Sequence, residues 1–251
     1  MPSLVGSEMC IRDRYYSIIR KLKMENYPKT ATERFDNANL HIKYCLSIIK
    51  KYIKGNIIEV GAGCGSFTRR YYHPNLKNII LTEKDLNNIN SLKKAFKDNN
   101  NIKVLPSSID EIDDNFDSIL YFHVLEHIEE DLVEIENAKK KLNNGGHLII
   151  MVPAHQKIYG NLDKAVGHFR RYEKNFFKRD LLDLKLIDFK YLDTLGYFLY
   201  YLNKVFYKNE IYPSDLKIFL WDKIFTPITI FVDFITRYNF GKCIVAVYKK
   251  K

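Results

Sequence analysis

The chain has 251 residues, of which 46% are apolar and 28% charged; this composition supports a folded core and excludes a disordered chain. No uncharged apolar run approaches the about 20 residues that a membrane-spanning helix needs. The four cysteines lie far apart, which excludes a disulfide framework or a cysteine-rich zinc site and favours a reducing, cytoplasmic environment. The formal net charge is +10, and residues 164–251 carry 17 basic and 9 acidic side chains, so the excess positive charge lies mostly in the last third.

The first fourteen residues differ in character from the rest of the chain. They resemble translated sequencing-adapter sequence, and they lack the positively charged stretch followed by an apolar stretch that marks a secretory signal. We therefore leave residues 1–14 out of the fold prediction. Residues 15–55 are predicted to form a helical N-terminal cap, and residues 56–251 the main domain.

Apolar residues at spacings of three and four predict a helix over Asn37–Lys54, and the pattern then changes to short buried strands that alternate with helices. The predicted strands are Asn56–Val60, Asn78–Thr82, Ile102–Leu105, Phe116–Phe122, His147–Val152, one near Leu186–Leu192, and Lys242–Tyr248. The predicted helices are Ser66–Tyr72, Leu86–Phe96, Asp131–Leu142, Asn175–Leu184, and an aromatic segment from about Gly196 to Tyr238. Asn143–Gly146 is predicted to be a helix cap and turn. This alternation predicts an α/β fold with a doubly wound parallel sheet, in one domain with a helical insertion at about 196–238.

A glycine-rich turn follows the first predicted strand. Gly61, Gly63 and Gly65 occupy alternate positions, and Glu59 stands two residues before the first of them. Glycines at such a turn let the backbone approach a ligand closely, with N–H groups free to bind it. The spacing differs from the dinucleotide-binding fingerprint, which places Gly or Ala at position 66. About twenty residues later, Glu83 ends the second strand, where a carboxylate can accept hydrogen bonds from ribose hydroxyls.

With these motifs, the chain resembles the class I S-adenosylmethionine-dependent methyltransferases from about Phe35 onward. Ile57–Gly65 is similar to that family's first motif, Phe116–Ile128 to its fourth-strand segment, and Leu142–Ile150 to its fifth. The resemblance implies a Rossmann-like sheet of seven strands. It also implies that the last strand, Lys242–Tyr248, is antiparallel, which distinguishes this fold from the dehydrogenases.

The same resemblance implies S-adenosyl-L-methionine as the cofactor and assigns roles by position. Glu59 would hold the methionine amino group directly or through water, and Glu83 would hold the ribose diol. Ser108 and Ile109 would flank the adenine, although the family often carries an acid where Ser108 stands. The implied cofactor-binding residues are Glu59, Gly61, Ala62, Gly63, Gly65, Glu83, Ser108 and Ile109.

A second group of polar and aromatic residues lies in the loop Ala154–Tyr172. It resembles a loop with a GHFRRY signature in a subgroup of bacterial methyltransferases found beside sugar- and envelope-biosynthesis genes. Adjacent arginines with a histidine two residues before them suit an anionic group such as phosphate or carboxylate. Ion pairs between Asp163 and an arginine would instead pin the loop, and both interpretations stand together. The predicted substrate-binding residues are His155, Tyr159, His168, Arg170, Arg171 and Tyr172.

Three titratable residues close the predicted fourth strand. His123 and His127 are the predicted catalytic residues, because either imidazole can deprotonate an acceptor hydroxyl or amine. Hydrogen bonding of His127 to the backbone is the alternative, and Glu126 is interpreted as the start of a helix. Acids in the first turn of a helix are expected from the helix dipole alone, so we predict no metal.

The aromatic segment 196–238 has three interpretations: a lid or core, a basic amphipathic surface that rests on a membrane, or a platform for stacked bases. No recognised nucleic-acid-binding module accompanies it, so nucleic acid is the least favoured partner. The sequence thus predicts a cytoplasmic methyltransferase for a small or lipid-linked acceptor, including anionic ones. Two alternatives stay open: an NAD-dependent oxidoreductase, and a non-catalytic binding protein that keeps the methyltransferase fold. Methyl transfer from a sulfonium mainly requires alignment of the nucleophile, so the lack of a catalytic triad does not exclude an enzyme.

Overall fold

A computed structural model describes residues 35–179, 181, 183–206 and 213–251 of the chain. The adapter-like residues 1–14 and the first part of the expected helical cap, residues 15–34, lie outside the described residues. The rest of the expected cap contains α1 (Asn39–Ile49), followed by a 3₁₀ turn at Lys50–Tyr52.

One mixed sheet of seven strands organises the described part of the chain. In chain order these strands are β1 (Ile57–Val60), β2 (Ile79–Thr82), β3 (Ile102–Leu105), β4 (Phe116–Phe122), β5 (Leu142–Pro153), β6 (Leu184–Leu192) and β7 (Cys243–Lys250). Their spatial order is β3-β2-β1-β4-β5-β7-β6. β1 to β5 pair in parallel, and β7 is antiparallel to both β5 and β6. The predicted α/β sheet with an antiparallel last strand is confirmed.

The helices connect these strands. They are α2 (Thr68–Tyr71), α3 (Leu86–Ala95), α4 (Asp131–Lys141), α5 (Asn161–Ala165), α6 (Lys174–Phe177), α7 (Thr194–Phe206), α8 (Asp215–Leu220) and α9 (Thr226–Ile235). A π-helical turn, Trp221–Phe225, joins α8 to α9. The described helices include none long and apolar enough to cross a membrane.

The core has one layer on each face of the sheet. Along β1, Ile58 and Val60 belong to one buried apolar cluster and Ile57 to the other. All four residues of β1 are buried, as expected for a central parallel strand covered on both faces. The sheet is therefore fixed from both sides, and the loops at the carboxyl ends of its strands start from rigid positions.

Two predicted elements differ from the structure. Asn143–Gly146, predicted to be a turn, belongs to β5, and Asn143 Nδ2 donates a hydrogen bond to Asp117 Oδ1 at 3.0 Å. A register shift between Phe116 and Ser118 accommodates this early start of the strand. The helix predicted over Asn175–Leu184 is confined to α6. The hydroxyl of Tyr248 donates a hydrogen bond at 2.8 Å to the carbonyl of Phe177, the last residue of α6, in place of a backbone N–H of a longer helix.

Helices α7 to α9 lie between β6 and β7 in the chain, and buried aspartates tie them to the rest of the fold. Asp233 of α9 accepts hydrogen bonds from Tyr44 Oη of α1 at 2.6 Å and from Asp193 N at 2.7 Å. Asp193, at the end of β6, forms an ion pair with Lys242 at 2.9 Å. The helical insertion is thus held against α1 and the end of the sheet.

Helix α9 reverses the usual amphipathic arrangement. Its buried residues are polar, namely Thr226, Thr229 and Asp233. Its exposed residues include an apolar stripe at helical spacing, namely Ile228, Phe231 and Ile235, and Ile230 and Phe234 are exposed beside it. A surface helix normally buries its apolar face, so an exposed apolar stripe indicates contact with another surface.

Candidate active site

The turn after β1 requires glycine at three positions. Gly61, Gly63 and Gly65 have φ values of +64°, +57° and +84°, which side-chain-bearing residues rarely adopt. A Cβ atom at Gly61 would lie 2.8 Å from Cγ2 of Val124, and one at Gly65 would lie 2.9 Å from Cδ2 of Leu92. The turn therefore takes a conformation that leaves its backbone at the carboxyl edge of the sheet, as the sequence predicted.

Glu83 lies against this glycine turn. Its Oε2 accepts a hydrogen bond from Gly63 N at 2.8 Å, and its Oε1 accepts one from Asp85 N at 2.9 Å. The carboxylate thus stands where β1 and β2 end side by side. This is the neighbourhood that the ribose role requires, and the role itself stays a prediction.

Glu59 lies within the sheet rather than at its surface. Only 2% of the residue is exposed, and the hydroxyl of Thr68 in α2 donates a hydrogen bond to Oε2 at 2.6 Å. Burial raises the pKa of the carboxyl to about 7, and the hydrogen bond from Thr68 opposes that effect. Glu59 thus couples β1 to α2, and its role of holding the methionine amino group directly or through water stays a prediction.

The two residues expected to flank the adenine occupy different environments. Ser108 is half-buried, and its backbone N–H donates to Oε2 of Glu111 at 2.8 Å. Ile109 is fully buried, and its side chain packs in the apolar core with Ile58 and Val60. The roles of Ser108 and Ile109 beside the adenine stay predictions. Ala62 is also buried and packs in the second core cluster.

His123 stands directly after β4, next to the glycine turn because β4 pairs with β1. Its φ is +58°, a left-handed conformation uncommon for a side-chain-bearing residue. Its backbone N–H donates to the carbonyl of Met151 at 2.8 Å, which fixes it to β5. The side chain is 43% exposed, so this predicted catalytic residue is accessible at the edge of the sheet.

Glu126 lies at the centre of a cluster of histidines, although the sequence suggested only a helix start. Its side chain is fully buried, and neither carboxylate oxygen accepts a well-aligned hydrogen bond. His123 Nδ1 lies 3.3 Å and His168 Nε2 lies 3.8 Å from Oε1. Burial raises the pKa of Glu126, but the neighbouring imidazoles, above all His123, outweigh burial and lower it.

His127 joins this cluster from the 3₁₀ turn Leu125–His127. Its ring centroid lies 4.7 Å from that of His168. Burial lowers the pKa of His127 to about 4, so the imidazole is neutral near pH 7. One ligand atom each from Glu126, His127 and His168 lies within 4.8 Å of the other two. No local pattern in the sequence indicates this grouping, because His168 comes from a loop about forty residues further on.

Asp163 of α5 organises the loop that carries His168. Its Oδ1 receives His168 Nδ1 and Arg171 Nε, each at 2.8 Å. Its Oδ2 accepts hydrogen bonds from Tyr200 Oη at 2.7 Å and Gly160 N at 2.9 Å. Burial raises the pKa of Asp163, but His168 and Arg171 outweigh it and lower the pKa below its usual range. This is the Asp163–arginine arrangement that the sequence offered as the loop-pinning interpretation.

The other predicted substrate-binding residues of the loop also make internal contacts. Arg170 Nη1 lies 2.9 Å from Oδ2 of Asp131, and Tyr172 Oη donates to the same oxygen at 2.9 Å. Tyr172 is buried, whereas the Arg170 side chain is 34% exposed. Tyr159 Oη donates to the carbonyl of His168 at 2.6 Å. Arg170 is therefore the arginine of the pair that keeps access to solvent.

His155 belongs to a separate aromatic group at the end of β5. Its φ is +63°, and its ring stacks on Tyr191 with the centroids 5.1 Å apart. Tyr197 and Phe240 flank the same imidazole at 5.2 Å and 5.0 Å. Its Nδ1 lies 3.6 Å from Oε2 of Glu173. The contacts of His155 are thus with β6 and α7 rather than with the Glu126 cluster.

The fold agrees with comparisons to known proteins. A family model described as a methyltransferase domain matches residues 20–184 of the chain. The chain belongs to this family of methyltransferase domains. It is similar to an uncharacterised protein of Methanocaldococcus jannaschii, with 25% identity over 158 residues that cover 61% of this chain and 70% of that protein.

Solved structures share the fold at low sequence identity. Coclaurine N-methyltransferase, bound to N-methylheliamine and S-adenosylhomocysteine, has a TM-score of 0.56 and 14% identity, over 84% of this chain and 72% of that one. The N-methyltransferase NodS of Bradyrhizobium japonicum, in complex with S-adenosylhomocysteine, has a TM-score of 0.53 and 15% identity, over 84% and 85%. A third structure is a complex between the Haloferax volcanii methyltransferase activator Trm112 and a protein described as a methyltransferase. It has a TM-score of 0.57 and 10% identity, over 84% of this chain and 90% of that one.

Proposed function

We propose that the protein transfers a methyl group from S-adenosyl-L-methionine to a small or lipid-linked acceptor. The observation that carries this proposal is the glycine turn with three positive φ values, joined to Glu83 by the Gly63 hydrogen bond at 2.8 Å. The turn lets its backbone approach a ligand closely, and Glu83 offers a carboxylate, at the edge where the ligands of open parallel sheets bind. The coclaurine and NodS enzymes share this fold and are described with S-adenosylhomocysteine.

The acceptor is proposed to enter between the end of β4 and the loop 154–172. This loop lies over the Leu125–His127 turn, because Phe169 N donates to the carbonyl of Glu126 at 2.7 Å. His123 is the exposed histidine beside that entry. Burial lowers its pKa, but Cys243 and Glu126 outweigh burial and raise the pKa to about 10, so we propose that His123 orients the acceptor as a protonated hydrogen-bond donor. Methyl transfer is an in-line displacement, so the main task of these residues is to orient the nucleophile and exclude water.

An anionic group on the acceptor would meet Arg170 rather than Arg171. Arg171 is buried against Asp163 and Tyr200, with its guanidinium 4.3 Å from the Tyr200 ring centroid. We therefore assign Arg171 to positioning of the loop. Arg170 is partly exposed, and rearrangement of its contact with Asp131 would allow it to bind a carboxylate or phosphate.

The apolar stripe of α9 supports a lipid-linked acceptor and an anionic membrane surface as the partner. Of the 18 large apolar residues that are exposed in the described part of the chain, 12 belong to the insertion of α7, α8, the π turn and α9. Residues 164–251 also carry the excess positive charge, which complements anionic lipid headgroups.

Calorimetry with the purified protein tests the cofactor assignment. We expect binding of S-adenosylmethionine and S-adenosylhomocysteine and none of NADH. Binding of NADH alone would overturn the proposal in favour of an oxidoreductase, an alternative that the antiparallel β7 and the spacing of the glycines disfavour. Incubation of cell extracts with methyl-labelled cofactor then tests catalysis. If the cofactor binds and the protein transfers no label to any extract component, the protein is a binding protein with this fold.

A further inference from the structure

The buried carboxylate of Glu126 lacks the hydrogen bonds that a charged group needs. Its side chain has no exposed surface, and neither oxygen accepts a well-aligned hydrogen bond. A buried charge of this kind is costly unless it is paired or coordinates a metal. His123 Nδ1 lies 3.3 Å and His168 Nε2 lies 3.8 Å from Oε1, so both imidazoles face the same oxygen, and Oε2 has no hydrogen-bond partner among the described residues.

Asp163 contacts one nitrogen of the His168 ring and thereby orients the other nitrogen toward Glu126. His168 Nδ1 lies 2.8 Å from Oδ1 of Asp163, and its Nε2 faces Glu126 at 3.8 Å. Histidines that bind metals commonly donate their second ring N–H to a carboxylate, which fixes both the tautomer and the ring orientation. Asp163 is itself fixed by Arg171 and Tyr200, so three side chains together determine the orientation of one imidazole.

The backbone also brings the three side chains together. Gly167, at φ +82°, precedes His168, and a Cβ atom there would lie 3.9 Å from Nδ1 of His127. The adjacent Phe169 N donates to the carbonyl of Glu126 at 2.7 Å. Two segments about forty residues apart in sequence are thus joined at this position, and the ligand atoms of Glu126, His127 and His168 lie within 4.8 Å of one another.

We propose that Glu126, His127 and His168 bind a divalent transition-metal ion of the Zn²⁺ class beside the methyl-transfer site. Two imidazoles and one carboxylate are a donor set that suits Zn²⁺, Fe²⁺ or Co²⁺ better than the all-oxygen sets that Mg²⁺ and Ca²⁺ prefer. Bonds of about 2.1 Å place neighbouring ligand atoms roughly 3–3.5 Å apart, so closure of the cluster requires side-chain movements on the order of 1 Å.

Three protein ligands leave coordination positions for another molecule. In catalytic zinc sites such a position holds water or substrate. Here it would hold an oxygen or nitrogen atom of the acceptor next to His123, at the end of β4. This use of the ion rests on the proposed methyltransferase function, whereas the binding of the ion itself does not.

Metal binding is tested on the intact protein without any activity assay. The protein is dialysed against a chelator and titrated with Zn²⁺ by calorimetry, and Co²⁺ serves as a second probe through its visible absorption. We expect about one equivalent of Zn²⁺ and a Co²⁺ spectrum of imidazole–carboxylate coordination. Glu126→Gln and His168→Gln should each weaken Zn²⁺ binding at least 100-fold, and Asp163→Asn about 10- to 100-fold because it orients His168. The matched control is His73→Gln, at an exposed histidine outside the cluster, which should bind like the wild type.

The proposal is overturned if the wild-type protein binds no Zn²⁺, or if Glu126→Gln binds it as tightly as His73→Gln. Glu126→Gln keeps the size of the side chain, and circular dichroism establishes that each variant is folded. Should His168→Gln fail to fold, Glu126→Gln and the wild-type Co²⁺ spectrum still decide the question. Titration of the same samples with S-adenosylhomocysteine separates the two proposals. A wild-type protein that binds S-adenosylhomocysteine but no Zn²⁺ contradicts the metal site alone. A wild-type protein that binds Zn²⁺ but no S-adenosylhomocysteine contradicts the proposed function alone.

Discussion

The buried carboxyl of Glu59 makes the stability of the folded protein depend on pH. Its pKa is raised from 4.5 to about 7, so the folded protein binds this proton more tightly than the unfolded chain. The corresponding stability is fully present below pH 4.5 and is lost as the pH rises through 7. A shift of this size corresponds to about 3 kcal/mol in the free energy of unfolding.

We expect Glu59→Gln to remove most of this pH dependence, because the amide keeps an acceptor for Thr68 and carries no charge. Urea unfolding at pH 5 and pH 8 measures the effect. The wild-type protein should lose stability between these values, whereas the variant should change less and be the more stable of the two at pH 8. An equal loss in both proteins would contradict the role of Glu59. Glu136→Gln, on the surface of α4, is the control.

Glu83 is the residue whose role is most directly tested by ligand affinity. Glu83→Gln should weaken binding of S-adenosylhomocysteine by roughly 1–3 kcal/mol, since a hydrogen bond to a charged acceptor is lost. Calorimetry of the variant and of Asp113→Asn, at an exposed acid elsewhere, provides the comparison. If the affinity of Glu83→Gln equals that of Asp113→Asn, Glu83 does not hold the ribose.

Strands were easier to predict than the active-site cluster. Ile102–Leu105 and Phe116–Phe122 have the bounds that the sequence indicated. Phe116–Phe122 is a central strand that is buried over most of its length and carries a strong local apolar signal, whereas Ile102–Leu105 lies at the edge of the sheet and is only partly buried. The predictions of a turn at Asn143–Gly146 and of a helix over Asn175–Leu184 were wrong. Tertiary contacts with Asp117 and Tyr248 determine where β5 begins and where α6 ends.

Glu126 was interpreted from its own neighbours, and those neighbours do not reveal its environment. Its contact with His168 depends on a loop that starts after β5, and no local pattern encodes that contact. The same holds for Arg171, whose buried partner Asp163 distinguishes it from the exposed Arg170. Adjacent residues of one type thus acquire different tasks through packing that the sequence pattern alone does not specify.

The loop 154–172 offers a test at the level of an element. Arg171→Ala removes one partner of a buried ion pair and should reduce the free energy of unfolding by roughly 3 kcal/mol. Arg170→Ala removes a partly exposed pair and should cost about 1 kcal/mol or less. Thermal melting and cofactor affinity of both variants distinguish these effects. An Arg171→Ala protein that melts like the wild type and loses only turnover would show that Arg171 contacts the acceptor instead.

On the scale of the molecule, the apolar stripe of α9 exposes large apolar side chains to water. Phe231 is 65% and Ile235 61% exposed, and Lys223 and Arg237 lie exposed near the two ends of the helix. We expect the protein to co-sediment with vesicles that contain phosphatidylglycerol and to bind less at high salt, because screening weakens the attraction to anionic headgroups.

The double variant Phe231→Ser/Ile235→Ser should reduce this vesicle binding several-fold. Leu86→Ser, at an exposed apolar residue of α3, provides the matched control and should bind like the wild type. Sedimentation velocity examines the other occupant of such a face, a second copy of the chain. Vesicle binding that is absent in the wild type, or a dimer that only the double variant abolishes, would refute the membrane assignment.

The position of β7 has a consequence for how the protein is made. Among the strands of the described residues, β7 comes last in the chain, yet it lies between β5 and β6, and β6 pairs there with β7 alone. On the ribosome, β1 to β5 can pair as they emerge, while one edge of β5 stays open and β6 waits unpaired. An open strand edge of this kind is prone to wrong pairing with other chains. The nascent protein therefore passes through a stage in which it depends on protection of that edge, and this stage ends only when β7 is inserted.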